Sequence, residues 1–330
     1  MLDILCHNLC VGIPEEGLIP EFRSFLKEYR PGNFIVFKRN AKEGPTGLRD
    51  LIGELKIALK ELKMPPPYVC VDQEGGRVSR LGSPHWPSLP SFSEIAQKAD
   101  PQNAVKDVAS LCAFMLKDVG INVNFSPCLD LKEDGAPVVM NERTFSKDPA
   151  EVATLGRIYL KTLQDAGILT VAKHFPGIGG INFDPHEDIA YSELNETRQK
   201  DALLPFKAAI EEQVFGVMTS HVLFPQYDPN NIVTFSKTVV DMLRKQLSFQ
   251  GILFTDDLFM GAVRKHFGLG TSGALALRAG YDILLYCHDI GETARAIDEL
   301  IKIIEDDDYI MQRLIESSCR ILTSKQKFLE

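Results

Sequence analysis

Acids, imidazoles and amines recur in this chain at the ends of short apolar runs. Lys173-His174 follows the run Leu169-Thr-Val-Ala172, and a loop containing Gly177, Gly179 and Gly180 leads from there to Asp184-Pro-His186. A carboxylate two residues before an imidazole can orient the ring and raise its pKa, which suits a general acid/base. Asp256 directly follows Ile252-Leu-Phe-Thr255, so a strand there would hold it rigidly as a nucleophile or charge stabiliser. Asp257, one residue further out, reads as the cap of the next helix. Asp72 closes Tyr68-Val-Cys-Val71 and leads to Arg80, while Asp130 and Arg143 follow the fourth run, Ser220-His221 the sixth and His288 the eighth. Each of these taken singly reads as a solvated charge, but repeated along the chain they read as one shared pocket. Lys173, Arg143 and Arg80 are hydrogen-bond donors that, opposed by Asp72, suit a ligand rich in hydroxyls. Phosphate is the competing ligand, and Asp72, Asp184 and Asp256 on the same rim disfavour it. A metal site built from His174, Asp184, His186 and His221 is disfavoured too, because no His-Glu-x-x-His spacing occurs and Lys173 repels a cation.

The elements that position these groups alternate. Eight apolar runs read as strands: Leu9–Ile13, Phe34–Phe37, Tyr68–Asp72, Ile121–Phe125, Leu169–Ala172, Phe215–Met218, Ile252–Thr255 and Ile283–Tyr286. Several are apolar without alternation, as parallel strands covered on both faces are. Amphipathic stretches at about 19–30, 47–63, 103–119, 149–166, 198–213, 237–248, 271–280, 291–305 and 308–325 read as helices. Asp148 before Pro149, and Ser236, are candidate N-caps. Gly120, Gly167, Gly251 and Gly280 read as helix stops. The repeat predicts a single (β/α)8 TIM-type barrel over residues 1–330, with an open doubly wound sheet as the alternative. No Gly-x-Gly-x-x-Gly follows the first strand, so a dinucleotide fold is disfavoured. In a barrel, chemistry sits at the C-terminal ends of the strands, which is where the polar groups fall.

Bulk composition narrows the partners. The formal charge is −9 and the pI about 5.4, which argues against nucleic acid or an anionic membrane as the main partner. No apolar run is long enough for a membrane helix, and the first residues lack the pattern of a signal peptide. The seven cysteines are scattered and mostly within apolar runs. They read as buried thiols in a reducing, cytoplasmic setting.

Four motifs in order carry a resemblance. Val71-Asp-Gln-Glu-Gly-Gly-Arg-Val-Ser-Arg-Leu81, Lys173-His-Phe-Pro-Gly, Asp184-x-His186 and Thr255-Asp-Asp-Leu-x-Met260 together resemble family 3 glycoside hydrolases, and most closely the single-domain bacterial β-N-acetylglucosaminidases that act on peptidoglycan fragments. Phe125-Ser-Pro-Cys-Leu-Asp130, Arg143-Thr-Phe145 and Val217-Met-Thr-Ser-His-Val222 are similar to that group as well. The resemblance implies a retaining double displacement in which Asp256 forms a covalent glycosyl-enzyme. His186, paired with Asp184, would be the acid/base, unlike the usual pair of carboxylates. It further implies that Asp72, Arg80, Arg143, Lys173 and His174 hold the substrate, a small carbohydrate of the N-acetylglucosaminyl-muropeptide type, and that no metal or cofactor is needed. A β-glucosidase, a phosphorylase and a sugar-binding barrel without catalysis are the alternatives. The chain departs from the familiar pattern at Ile178, Pro185, Thr255 and Phe259. Ile178 and Phe259 are expected to place apolar bulk near the site, and Pro185 to restrict the loop backbone.

Overall fold

The computed structural model describes residues 1–134, 138–178, 180–181, 188–192 and 194–329. Eight strands run in parallel and close on themselves in chain order, the last pairing with the first. They are β1 (Leu9–Gly12), β2 (Asn33–Val36), β3 (Tyr68–Val71), β4 (Val123–Asn124), β5 (Leu169–Phe175), β6 (Gly216–Thr219), β7 (Ile252–Asp257) and β8 (Ile283–Tyr286). All eight apolar runs are therefore strands, and the (β/α)8 barrel is the architecture. The fourth run contributes only two residues to the sheet. The fifth continues beyond its apolar part, so Lys173 and His174 lie within β5 and not beyond its tip.

Alternation along the strands sorts the core into two layers. Inward residues such as Cys70, Phe125, Val171, Phe254 and Leu285 form one buried cluster inside the barrel. Their outward neighbours, among them Val71, Ala172, Leu253 and Leu284, pack with the surrounding helices in a second and larger cluster. The barrel is thus a filled core, with Phe125 and Phe254 ring centroids 5.4 Å apart edge to face.

The helices are capped largely where short polar side chains precede them. Asp148 Oδ1 accepts from Ala150 N–H at 2.9 Å, and Ser236 Oγ from Val239 N–H at 3.3 Å, which satisfies donors that the helix leaves open. Gly120 and Gly280 end helices in the left-handed region. Gly251 does not: its φ is not positive, and it is needed because a Cβ there would stand 2.4 Å from the Phe215 carbonyl oxygen. The helix expected at 237–248 is an α-helical turn Lys237–Asp241 continued by a π-helical one, Met242–Gln246.

The final helix, Asp308–Leu329, closes the barrel at the N-terminal ends of the strands. Ile321 joins the inner cluster, Tyr68 Oη donates to Ser324 Oγ at 2.8 Å, and Lys325 Nζ donates to the Gly32 carbonyl at 2.8 Å. Six cysteines are buried and Cys319 is exposed; all seven are free thiols. No described helix is long and apolar enough to cross a membrane.

Candidate active site

Two strands carry one extra residue each at the C-terminal end of the barrel. In β5 the pairing with β6 goes from Ala172↔Val217 to Phe175↔Thr219, and in β7 the pairing with β8 goes from Phe254↔Ile283 to Asp257↔Leu285. Three steps on one strand thus match two on its neighbour, which is a β-bulge. Alternation would otherwise send every second side chain outward. The bulges let two consecutive residues face inward. Lys173 and His174 both line a cavity of about 430 Å³, and so do Asp256 and Asp257.

Asp72 enters the same cavity from the end of β3. The segment after it is shaped by Gln73, which is fully buried. Gln73 Oε1 accepts from the N–H groups of Arg80 and Leu81, both at 2.9 Å. Its Nε2 donates to Ser79 Oγ and the Leu81 carbonyl, both at 3.0 Å. Gly75 allows the turn: its φ is +120°, and a Cβ there would stand 2.1 Å from the Pro90 carbonyl oxygen. This fold-back brings Arg80 Nη2 to 3.4 Å from Asp72 Oδ2.

A charge cluster fills the space between β3 and β5. Lys173 Nζ lies 2.7 Å from both Asp72 Oδ1 and Glu74 Oε1. Arg143 grips Glu74 with both arms, Nε to Oε2 at 2.9 Å and Nη2 to Oε1 at 2.8 Å, the bidentate form that fixes geometry best. Burial pushes the Glu74 carboxyl up, but the Arg143 and Lys173 charges outweigh it and hold the pKa at about 2. Burial of Asp72 is likewise outweighed by Lys173 and Arg80, so its pKa is lowered. Lys173 is held charged in the same way, its two carboxylate partners overcoming the cost of burial.

His174 is oriented from below. Its Nδ1 is 2.7 Å from Asp130 Oδ2, and Asp130 Oδ1 accepts from the N–H of Ile178 at 2.8 Å. A ring that donates from Nδ1 turns its Nε2 lone pair to Arg143 Nη2, 3.3 Å away. Cys128 Sγ also lies 3.1 Å from Asp130 Oδ2. Cys128, Asp130 and His174 have metal-ligand types within 4.8 Å of one another. Their donors and acceptors are already engaged with each other, so the group reads as a hydrogen-bonded support for the imidazole.

The two aspartates of β7 have different duties. Asp256 is half-buried and lines the cavity; its Oδ1 accepts from Asp257 N–H at 2.8 Å. Asp257 is structural. Its Oδ1 accepts from the N–H groups of Phe259 and Cys287, at 3.1 and 3.2 Å, and its Oδ2 lies 3.0 Å from His288 Nδ1. It ties the turn after β7 to β8 and does not cap the next helix, whose N-cap is Met260. His221 braces the same turn, with Nε2 2.9 Å from the Asp257 carbonyl oxygen and Nδ1 2.6 Å from Thr234 Oγ1.

Asp72, Arg80, Arg143, Lys173, His174 and Asp256 are thus brought together around one cavity. Asp184, Pro185 and His186 lie outside the described residues. The segments flanking them are anchored: Ile181 bridges to Ser192 and Tyr191 to Leu223, and Asp188 pairs with His266 beyond β7. Phe259 lines the cavity, as expected. Ile178 does not; its side chain is in the outer core, and its backbone N–H is what serves the site. Glu74 was not foreseen as a site residue, although it stands two residues after Asp72. The glycine pair behind it makes it look like part of a solvated loop.

Residues 16–324 match the family model of the glycosyl hydrolase family 3 N terminal domain. A beta-hexosaminidase from Nitrosomonas eutropha is 36% identical over 264 residues, 78% of this chain and 74% of that protein. A glycoside hydrolase family 3 beta-N-acetylglucosaminidase from Paenibacillus sp. superimposes with a TM-score of 0.91 at 29% identity, over 100% of this chain and 62% of that one. This chain therefore spans less than two thirds of the Paenibacillus enzyme. M. tuberculosis LpqI superimposes with a TM-score of 0.86 at 29% identity, over 98% of this chain and 93% of that one. The motifs come in family order, the barrel is closed, and the family match covers nearly the whole chain: the chain belongs to glycosyl hydrolase family 3 and is a glycoside hydrolase.

Proposed function

We propose that the chain is a retaining exo-β-N-acetylglucosaminidase that removes terminal N-acetylglucosamine from peptidoglycan-derived fragments. The observation that carries this reading is the bulge in β7, which turns the Asp256 carboxylate into a cavity whose far side is the buried cluster of Asp72, Lys173, Arg143 and His174. The relatives named as beta-hexosaminidase and beta-N-acetylglucosaminidase support the choice of sugar.

In the proposed cycle an Asp256 oxygen attacks the anomeric carbon while the bond to the leaving oxygen breaks. His186, oriented by Asp184, gives its proton to that oxygen. Water then attacks the anomeric carbon, His186 takes a water proton, and Asp256 departs as a free carboxylate. Asp72 accepts from sugar hydroxyls with the lone pairs that Lys173 and Arg80 leave open. Lys173, Arg143 and His174 keep those acceptors and donors fixed, so little reorganisation is needed as the ring flattens. No cofactor takes part. A cytoplasmic setting fits the seven free thiols, because thiols persist in reducing compartments; cell fractionation tests it.

The test is release of nitrophenol from the β-N-acetylglucosaminide and the β-glucoside, with and without inorganic phosphate. Hydrolysis of the first in preference to the second, unchanged by phosphate, is expected. Preference for the glucoside overturns the substrate, and a phosphate-dependent rate overturns hydrolysis. A fluorinated N-acetylglucosaminyl fluoride that traps an adduct should label Asp256.

A further inference from the structure

The final helix, Asp308–Leu329, packs one face on the barrel and leaves the other bare. Of the nine large hydrophobic side chains exposed among the described residues, four lie on it: Tyr309, Ile315, Leu322 and Phe328. Ile315 and Leu322 are 44% and 36% exposed, and Cys319 between them is the only exposed cysteine. They belong to a row, Gln312, Ile315, Cys319, Leu322 and Gln326, whose members are all exposed and are spaced by three and four residues in turn. That is the spacing of a coiled-coil seam, the stripe along which one helix packs on another. No member of the row is charged, in a chain where 25% of the residues are. An ordinary solvated helix face carries charge, so an uncharged row with aliphatic side chains in it reads as a contact surface.

The row has the same order from either end: amide, aliphatic, thiol, aliphatic, amide. A two-fold axis through Cys319, perpendicular to the helix, therefore lays the helix antiparallel on a copy of itself. Ile315 then meets Leu322, Gln312 meets Gln326, and Cys319 meets its own copy. This is the self-complementarity that an isologous two-fold interface requires. The charges at the two ends agree with it. Asp308 stands in the first turn and Lys327 in the last, and neither has an ion-pair partner among the described residues. Asp308 lies eleven residues before Cys319 and Lys327 eight after it. In the antiparallel pair they are offset along the axis by about 4.5 Å, within reach of a lysine side chain. A parallel pair would set Asp308 against Asp308 and Lys327 against Lys327.

We propose that this seam is the surface by which two copies of the chain associate, helix on helix and antiparallel, with Cys319 on the two-fold axis. A few seam positions are far fewer than the roughly 20–30 residues a side of a standard interface, so the dimer forms and dissociates with concentration. The helix closes the barrel at the N-terminal ends of the strands, so both active-site cavities open away from the seam. The inference is independent of which residue is the nucleophile.

Sedimentation of the wild-type chain over a range of concentrations tests it, the mass rising from 36.8 kDa towards twice that value. Ile315→Glu and Leu322→Glu should each raise the Kd of the dimer about tenfold or more. Melting temperature and glycoside hydrolysis should not change, because both side chains are on the surface at the end of the barrel opposite the cavity. Asp308→Lys should weaken the dimer, and adding Lys327→Asp should restore it. A short bis-maleimide should join two chains, and peptide mapping should find Cys319 at both ends of the bridge. The mass of one chain at every concentration overturns the proposal. A dimer indifferent to both glutamate substitutions uses another interface and overturns it too, and a double charge swap that restores nothing overturns the antiparallel arrangement.

Discussion

Lys173 Nζ and Glu74 Oε1 meet at 2.7 Å, and neither side chain is more than 3% exposed. Glu74 is shared with Arg143, and Asp72 is the second carboxylate on Lys173; Glu74 is the only carboxylate paired with Arg143 among the described ion pairs. Removing one partner of such a group leaves an uncompensated charge, which costs about 3–5 kcal/mol. Glu74→Gln keeps the shape and removes the charge. It should lower the unfolding free energy by that amount and weaken substrate binding through Lys173 and Arg143. Denaturant unfolding and KM together check this; a change in stability below about 1 kcal/mol would contradict the role given to Glu74.

Acid sensitivity follows from the same carboxylate. Glu74 is held at about 2 in the folded protein against an ordinary 4.5. Between those values the unfolded chain binds the proton and the folded one does not, so stability rises with pH through that window. The contribution is full above about 4.5 and is lost as the pH falls towards about 2. Asp72 and Asp130, also lowered, act with the same sign. A titration of unfolding free energy between neutral and acidic pH should show this slope, and Glu74→Gln should make it shallower. Equal slopes in the two proteins would sink the assignment.

Neighbouring aspartates give a sharp contrast. Asp256→Asn should cost roughly 10³-fold or more in turnover and leave the melting temperature nearly unchanged. Asp257→Asn should do the reverse, costing about 1–3 kcal/mol of stability with a smaller loss of rate, because its oxygens hold Phe259, Cys287 and His288. Rates and melting curves measured on both variants separate the two roles. An active Asp256→Asn protein would remove Asp256 from the mechanism.

Lys325 makes the opposite kind of prediction, at the other end of the barrel. Burial lowers its pKa from 10.5 to about 7. Above that value the unfolded chain still carries the proton and the folded one has lost it, so stability rises with pH from about 7 upward. Cys6, raised by burial to about 11 from 9.0, works the other way at higher pH, so the window from 7 to 8.5 is the informative one. Lys325→Met should flatten the slope there and stabilise the protein at pH 6, even with the Gly32 carbonyl left without its donor. A variant less stable than wild type at every pH would show that this hydrogen bond outweighs the buried charge.

The strands were legible because parallel strands buried on both faces leave unbroken apolar runs, as in Ile252–Phe254 and Leu169–Ala172. Asp72, Lys173 and Asp256 were legible for the same reason, each being the first charge after such a run. Arg143 was less so. Its partner Glu74 is 69 residues away, and Lys173 and Asp72 are 101 apart, distances that only barrel closure spans. The bulges left no mark in the pattern, because a one-residue register shift is a property of two strands together. That is why Asp257 read as a helix cap.

A bulge corresponds to a single codon. At Lys173-His174 and at Asp256-Asp257 one inserted residue doubles what a strand end can present without lengthening a loop or disturbing the apolar layers below. A strand of plain alternation offers one inward side chain at each place. Grafting this chemistry onto another eight-stranded barrel therefore requires copying two insertions along with the side chains. A graft that transfers the residues in unbroken alternation would leave one member of each pair facing the helices.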